Sequence, residues 1–250
     1  LGELELLSAL HAGGQRQGPG GDQETQRAWD LTGLEAHPDL AIADIGCGTG
    51  ASTLVLARLS GAPVLAVDFL HPFTFQLTRR AAAAGLGEQV RAITATMQAL
   101  PFAEASLDLI WSEGAIYNMG FEAGLAAWRR LLRPAGVVAV SEITWLTEVR
   151  PAELEDYWLR EYPAIATASD KVTQLETLGF ELLGYFALPP SCWLEGYYRP
   201  LEQRFAAFLE AQAHSAAAQD IVAAERREIA LYERYADHYS YGFYIARRSD

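Results

Sequence analysis

Cysteine is nearly missing: Cys47 and Cys192 are the two in 250 residues, which excludes a disulfide scaffold and a four-cysteine zinc site. Lysine is rarer still, since Lys171 stands alone and every other basic residue is arginine, leaving one candidate for Schiff-base chemistry. Positive charge is short overall. Against 32 acidic residues there are 19 basic ones, and the net charge of −13 repels polyanions, so no nucleic-acid partner is expected. No stretch approaches the about 20 apolar residues of a membrane span. The first residues carry no basic region followed by an apolar run, so the expectation is a cytoplasmic chain without a membrane partner. Histidines 11, 37, 71, 214 and 238 show no metal-ligand spacing, and no metal is expected. There is no internal repeat and no long Gly/Ser or Pro-rich linker, so one domain is expected over 1–250.

What is present is a regular alternation. Apolar runs at Leu40–Ile45, Pro63–Asp68, Val90–Ala95, Leu107–Trp111 and Gly136–Glu142 are separated by helical patterns near 50–59, 72–84 and 119–132. Strands this continuously apolar are covered on both faces, so they predict a doubly wound α/β fold with five parallel strands. Before them, a short helix with Leu4, Leu7 and Leu10 meets a glycine-rich break over 13–21, and a second helix runs from Asp22 to about Leu34. After them come helices near 151–161 and 168–178, a strand Phe180–Leu188, an Ala-rich helical region over 197–236 and a last strand near Tyr241–Arg247. The stripe Leu201, Phe205, Phe208 and Leu209 should pack on the sheet or cover a cleft.

The chemistry concentrates in Asp44-Ile-Gly-Cys-Gly-Thr-Gly, which closes the first strand and opens the first helix. Gly46, Gly48 and Gly50 permit a tight turn that brings backbone N–H groups against a ligand at the carboxyl edge of the sheet. Glycines alone do not separate nicotinamide from other nucleoside ligands. Asp68 ends the second strand, where a carboxylate can accept two hydrogen bonds from a ribose diol, and Phe69 offers an apolar face to a base. Asp44 adds an acid where a ligand ammonium could be met. A cationic amino-acid moiety gains from that acid and a pyrophosphate does not.

These residues resemble the class I S-adenosylmethionine-dependent methyltransferases, through 44–50, Ala-Val-Asp at 66–68, Leu-Pro-Phe at 100–102, Leu-Asp-Leu-Ile-Trp at 107–111 and Leu-Leu-Arg-Pro-Ala-Gly at 131–136. Within that class the chain most resembles bacterial small-molecule enzymes of the ubiquinone/menaquinone-biosynthesis type. A bacterial subgroup is similar over most of the length, including Arg-Gln-Gly-Pro-Gly at 16–20 and Trp-Ser-Glu-Gly-Ala-Ile-Tyr-Asn at 111–118. The resemblance implies a seven-stranded, mostly parallel sheet with the last strand antiparallel and a helical insertion before it. It implies S-adenosylmethionine as cofactor, S-adenosylhomocysteine as product and a small-molecule acceptor. The chain then divides into an N-terminal cap (1–39), a cofactor-binding core (40–145) and acceptor-side helices and terminal strands (146–250).

By position the resemblance puts Asp44, Gly46, Cys47 and Gly48 at the methionine end, Asp68 and Phe69 at the ribose and adenine, and Thr96 and Met97 beside the adenine. Many relatives carry Gly-Asp in that last loop where this chain has Ala95-Thr96. Ser112 and Glu113 follow the fourth strand near the methionine and the acceptor. Glu113 could hold a cation, place an acceptor or take a proton, and equally could cap a helix or form a salt bridge. Tyr117 could offer a phenol and a π face to the sulfonium or pack in the core. Arg16 and Gln17 are expected near the methionine carboxylate, in a segment that folds over the cleft. Glu142 and Trp145, after the fifth strand, stand open to the same two readings as Glu113, and the acceptor pocket is expected between the N-terminal segment, the ends of strands four and five and the late helices. Two rivals stand beside the methyltransferase: a nicotinamide-dependent oxidoreductase, which lacks a Tyr-x-x-x-Lys pair because residue 167 is Thr, and a nucleoside-binding module without turnover.

Overall fold

The computed structural model describes residues 2–250. Two helices, α1 (Glu3–His11) and α2 (Asp22–Thr32), precede an alternating core. That core runs β1 (Ile42–Ile45), α3 (Ala51–Ser60), β2 (Val64–Asp68), α4 (His71–Ala83), β3 (Val90–Thr94), β4 (Leu107–Glu113), α5 (Phe121–Arg129) and β5 (Leu132–Trp145). The second half adds α6 (Ala152–Glu161), β6 (Ala166–Thr167), α7 (Ala168–Thr177) and β7 (Phe180–Ala187). The short helix α8 (Pro190–Trp193) then passes through a π-helical turn, Leu194–Tyr198, into α9 (Arg199–Ala211), followed by α10 (Ala216–Tyr235) and β8 (Tyr239–Arg248).

Seven strands form a continuous path in the order β3-β2-β1-β4-β5-β8-β7, and β6 adds a two-residue ladder beside the end of β5. The first five strands are parallel, as their apolar runs predict, and β8 lies antiparallel to both β5 and β7. Period two divides each run between two layers. Ile42, Leu109, Val137 and Ala139 face one core with α2, α3, α9 and α10, while Ala43, Ile110, Val138 and Val140 face the other with α5 and α7. Each fully buried Val, Leu or Ile among them contributes about 1.5–3 kcal/mol relative to exposure, so the alternation fixes the register.

Three local readings needed the structure. β5 begins at Leu132, four residues ahead of the expected start, because Leu132 pairs with Leu107 before the irregularity that precedes Leu109. The helical region 197–236 is split: Ala213 and His214 take positive φ, and the Ser215 hydroxyl caps α10 by accepting from Ala218 N–H at 3.4 Å. The stripe of α9 is buried as expected, but it packs chiefly on α1, α10 and the π-helical turn.

Candidate active site

The strand order reverses between β1 and β4, and at this switch point the carboxyl edge opens into a crevice. The turn from β1 to α3 forms its floor. Gly46, Gly48 and Gly50 all have φ between 55° and 87°, where a side chain is strained. Space forbids one as well: a Cβ on Gly46 would strike Ala115, on Gly48 the Gln17 amide, and on Gly50 the Leu77 side chain. The turn is tied to β2, since Gly46 and Cys47 N–H both donate to the Val67 carbonyl, at 2.8 and 3.0 Å. Asp68 completes the tie. Its Oδ2 accepts from Gly48 N–H at 3.0 Å and its Oδ1 from Leu70 N–H at 2.9 Å. Burial pushes its pKa up and those N–H groups pull it down, so the carboxylate is held rigidly with further lone pairs free to accept.

Above this floor lies a cavity of about 670 Å³, within the usual range for small-molecule sites. Gly46, Cys47, Gly48, Asp68, Phe69, Thr96 and Met97 all line it, together with Glu113, Tyr117, Arg16 and Gln17. These eleven residues, singled out from sequence, therefore meet on one surface. Asp44 and Ser112 do not. The Asp44 carboxylate is buried behind the turn, where Oδ2 accepts from Thr53 Oγ1 at 2.7 Å and Ser52 Oγ at 2.9 Å. Its Oδ1 has no partner, and burial raises its pKa to about 7. Ser112 is fully buried in β4, its Oγ also without a partner.

Glu113 lines the cavity but its carboxylate is occupied. Oε2 accepts from Arg16 Nη1 at 2.8 Å, and Oε1 accepts from Thr25 Oγ1 at 2.7 Å and the Trp111 indole at 3.0 Å. Arg16 also reaches Asp22 at 3.0 Å. Gln17 accepts the Thr49 N–H at 2.8 Å through Oε1, while its Nε2 donates to the Gly14 carbonyl at 3.1 Å. Arg80 spans from α4 to the carbonyls of Gln15 and Thr49, at 2.9 and 2.8 Å. Residues 13–20 are thus a strap fastened across the glycine turn at three points. Tyr117 is 45% exposed and meets Tyr162 edge-on, so it is a cavity wall rather than a core side chain.

The end of β5 is absent from the cavity wall. Glu142 is buried and faces Lys171, whose Nζ lies 3.5 Å from Oε1 and 3.0 Å from the Ala164 carbonyl. Burial raises the Glu142 pKa and lowers that of Lys171, each offset by the other's charge. Trp145 is buried under Arg150 and Tyr239. The wall opposite the glycine turn is instead supplied by Leu4, Leu7, Ser8 and His11 of α1, Tyr197 of the π-helical turn and Glu225 of α10. The 4, 7, 8, 11 spacing was visible as one helical face, but His11 interrupts its apolar character. Among the described residues no group of three or more His, Cys, Asp or Glu is placed to hold a metal, and no helix is long and apolar enough to cross a membrane. Burial pushes the Cys192 thiol up to about 12, which leaves it a packing residue.

Strand order, the antiparallel β8 and the glycine turn at the switch point define the Rossmann-like methyltransferase fold. Residues 42–136 match the family described as a methyltransferase domain. It is 38% identical over 96 residues to a dimethylglycine N-methyltransferase from Parasynechococcus marenigrum, a match covering 38% of this chain and 34% of that one. It is 32% identical over 126 residues to a malonyl-[acyl-carrier protein] O-methyltransferase from a Methylovorus species, covering 46% and 42%. The chain therefore aligns with less than half the length of either relative. A methyltransferase from Geobacter sulfurreducens, solved with S-adenosyl-L-homocysteine, superposes with a TM-score of 0.84 over 97% of both chains at 18% identity.

Proposed function

We propose that this chain transfers the methyl group of S-adenosylmethionine to a small-molecule acceptor. The observation that carries the reading is the meeting, on one cavity, of a glycine turn that admits no side chain and an Asp68 carboxylate immobilised beside it. The residues present suit the cofactor. Asp68 would accept from the ribose hydroxyls, Phe69 and Met97 would flank the adenine, and Thr96 stands where many relatives have an acid. The close-packed backbone of the turn, with Gln17 and Arg16 above it, would lie against the methionine end. S-adenosylmethionine supplies a methyl group already activated by its sulfonium. The protein's part is then alignment and exclusion of water, and positioning alone is worth up to about 7–11 kcal/mol in ideal cases.

The strap supports this division of labour, because it covers the glycine turn while leaving the wall of α1 and α10 to the acceptor. We further propose that Glu113 serves as the strap's anchor, and that Tyr117 touches the acceptor. The motifs shared with the ubiquinone/menaquinone-biosynthesis type lie on the cofactor side, and they support that grouping for the core without specifying an acceptor. The relatives' names point to nitrogen in one case and oxygen in another.

Calorimetry tests the reading directly. S-adenosylhomocysteine should bind and NAD should not; tighter binding of NAD would favour the oxidoreductase instead. Radiolabel transfer from S-adenosylmethionine to an acceptor panel then separates an enzyme from a binding module.

A further inference from the structure

The cavity wall opposite the glycine turn carries a dyad that the cofactor does not explain. His11 Nε2 lies 3.2 Å from Glu225 Oε1, and the ring stacks on Tyr197 with centroids 6.2 Å apart and planes 17° from parallel. With Nε2 donating to the carboxylate, Nδ1 keeps the lone pair. That nitrogen is buried and has no partner. A buried polar atom left unmatched is explained when a ligand proton satisfies it.

The charges on the cavity point the same way. Among the described residues that line it, the acids are Asp68, Glu113 and Glu225, and the basic side chains are Arg16 and His11. Arg16 is committed to Glu113 and Asp22, and His11 to Glu225. No cation is left to receive an anionic acceptor. One turn further along α10, the buried Glu228 side chain accepts from Tyr198 at 2.8 Å. Tyr117 and Tyr197 supply aromatic faces beside it, and such faces attract cations.

Resting on the methyltransferase reading, we propose that the acceptor is a small amine that enters as its ammonium against Tyr197 and Tyr117, and that His11, oriented by Glu225, takes its proton. The ammonium N–H bond breaks and its proton passes to Nδ1, where Glu225 balances the imidazolium. The freed nitrogen lone pair forms the bond to the methyl carbon, and the electron pair of the broken carbon–sulfur bond stays on sulfur. Positive charge moves from sulfonium to the methylated nitrogen, while the released proton rests on the His11–Glu225 pair. An anionic acceptor would find no free cation.

The test uses the whole chain saturated with S-adenosylhomocysteine, with benzylamine and benzoate as probes in saturation-transfer NMR. Benzylamine should bind and benzoate should not, and Glu225→Gln should weaken benzylamine about tenfold or more while S-adenosylhomocysteine affinity is unchanged. In the unsubstituted chain, benzylamine should move the His11 ring nitrogen signals and leave those of the exposed His37 in place. Failure of S-adenosylhomocysteine to bind would overturn the methyltransferase reading itself. If it binds, the amine proposal alone falls on any of three results: benzoate binding as well as benzylamine, neither probe binding, or His11 signals that stay fixed at saturating benzylamine.

Discussion

Arg16 and Glu113, 97 residues apart in sequence, meet at 2.8 Å with both side chains about nine-tenths buried. This pair joins the strap ahead of α2 to the end of β4, so the cover of the cavity and its floor share one ion pair. Replacing Glu113 by Ala leaves the guanidinium, the Thr25 hydroxyl and the Trp111 indole short of a partner. Breaking a buried pair from one side costs about 3–5 kcal/mol, and a loss of that order is expected in urea unfolding of Glu113→Ala. A change within about 0.5 kcal/mol, the range of ordinary surface substitutions, would mean that water takes the carboxylate's place.

Asp68→Ala should weaken S-adenosylhomocysteine binding about 100-fold, from two charge-assisted hydrogen bonds at about 1.5 kcal/mol each. Loss of the Gly48 and Leu70 N–H contacts can only add to this. Calorimetry on the folded variant decides it, and unchanged affinity would remove Asp68 from the ribose.

At Gly48, φ of 55° and the adjoining Gln17 amide both resist a side chain. Gly48→Val should abolish S-adenosylhomocysteine binding while circular dichroism stays near that of the unsubstituted chain, because the turn lies outside the sheet ladder. Retained tight binding would reduce the turn to a connection between β1 and α3.

Stability should depend on pH through Asp44. Burial raises its pKa from 3.8 to about 7, so the folded chain keeps a proton that the unfolded chain has released. The associated stabilisation is complete below 3.8 and is lost progressively as pH rises to about 7. Glu228, raised to about 7 by burial, declines in the same direction. Asp44→Asn removes the Asp44 contribution, so its stability relative to the unsubstituted chain should improve between pH 5 and pH 8. Denaturant curves running parallel across that range would show that Asp44 does not titrate there.

The strap should tighten when the cavity is filled. Hydrogen exchange of amides 16–21 should slow on adding S-adenosylhomocysteine, and removal of residues 1–20 should raise its dissociation constant with the sheet intact. Equal exchange with and without ligand, together with unchanged affinity of the truncated chain, would mean that the strap is only a tether between α1 and α2.

The sequence by itself determined the parallel core, the antiparallel final strand through its family resemblance, and the floor of the site. Those features depend on neighbours in the chain: period two within each apolar run, and three glycines at fixed spacing between a strand and a helix. It did not determine what the polar groups face. Glu113 could equally be read as a base or a salt-bridge partner until Arg16 and Thr25 were brought against it. Asp44 kept its place in the motif yet turned its carboxylate to Ser52 and Thr53 behind the turn. Glu142 likewise stood open to the acceptor or a salt bridge until the lone lysine was brought against it. His11 could be placed on a helical face but not paired, because its partner Glu225 is 214 residues away. A buried charge is defined by whichever group neutralises it, and only the folding together of α1, α10 and the end of β4 chose those groups.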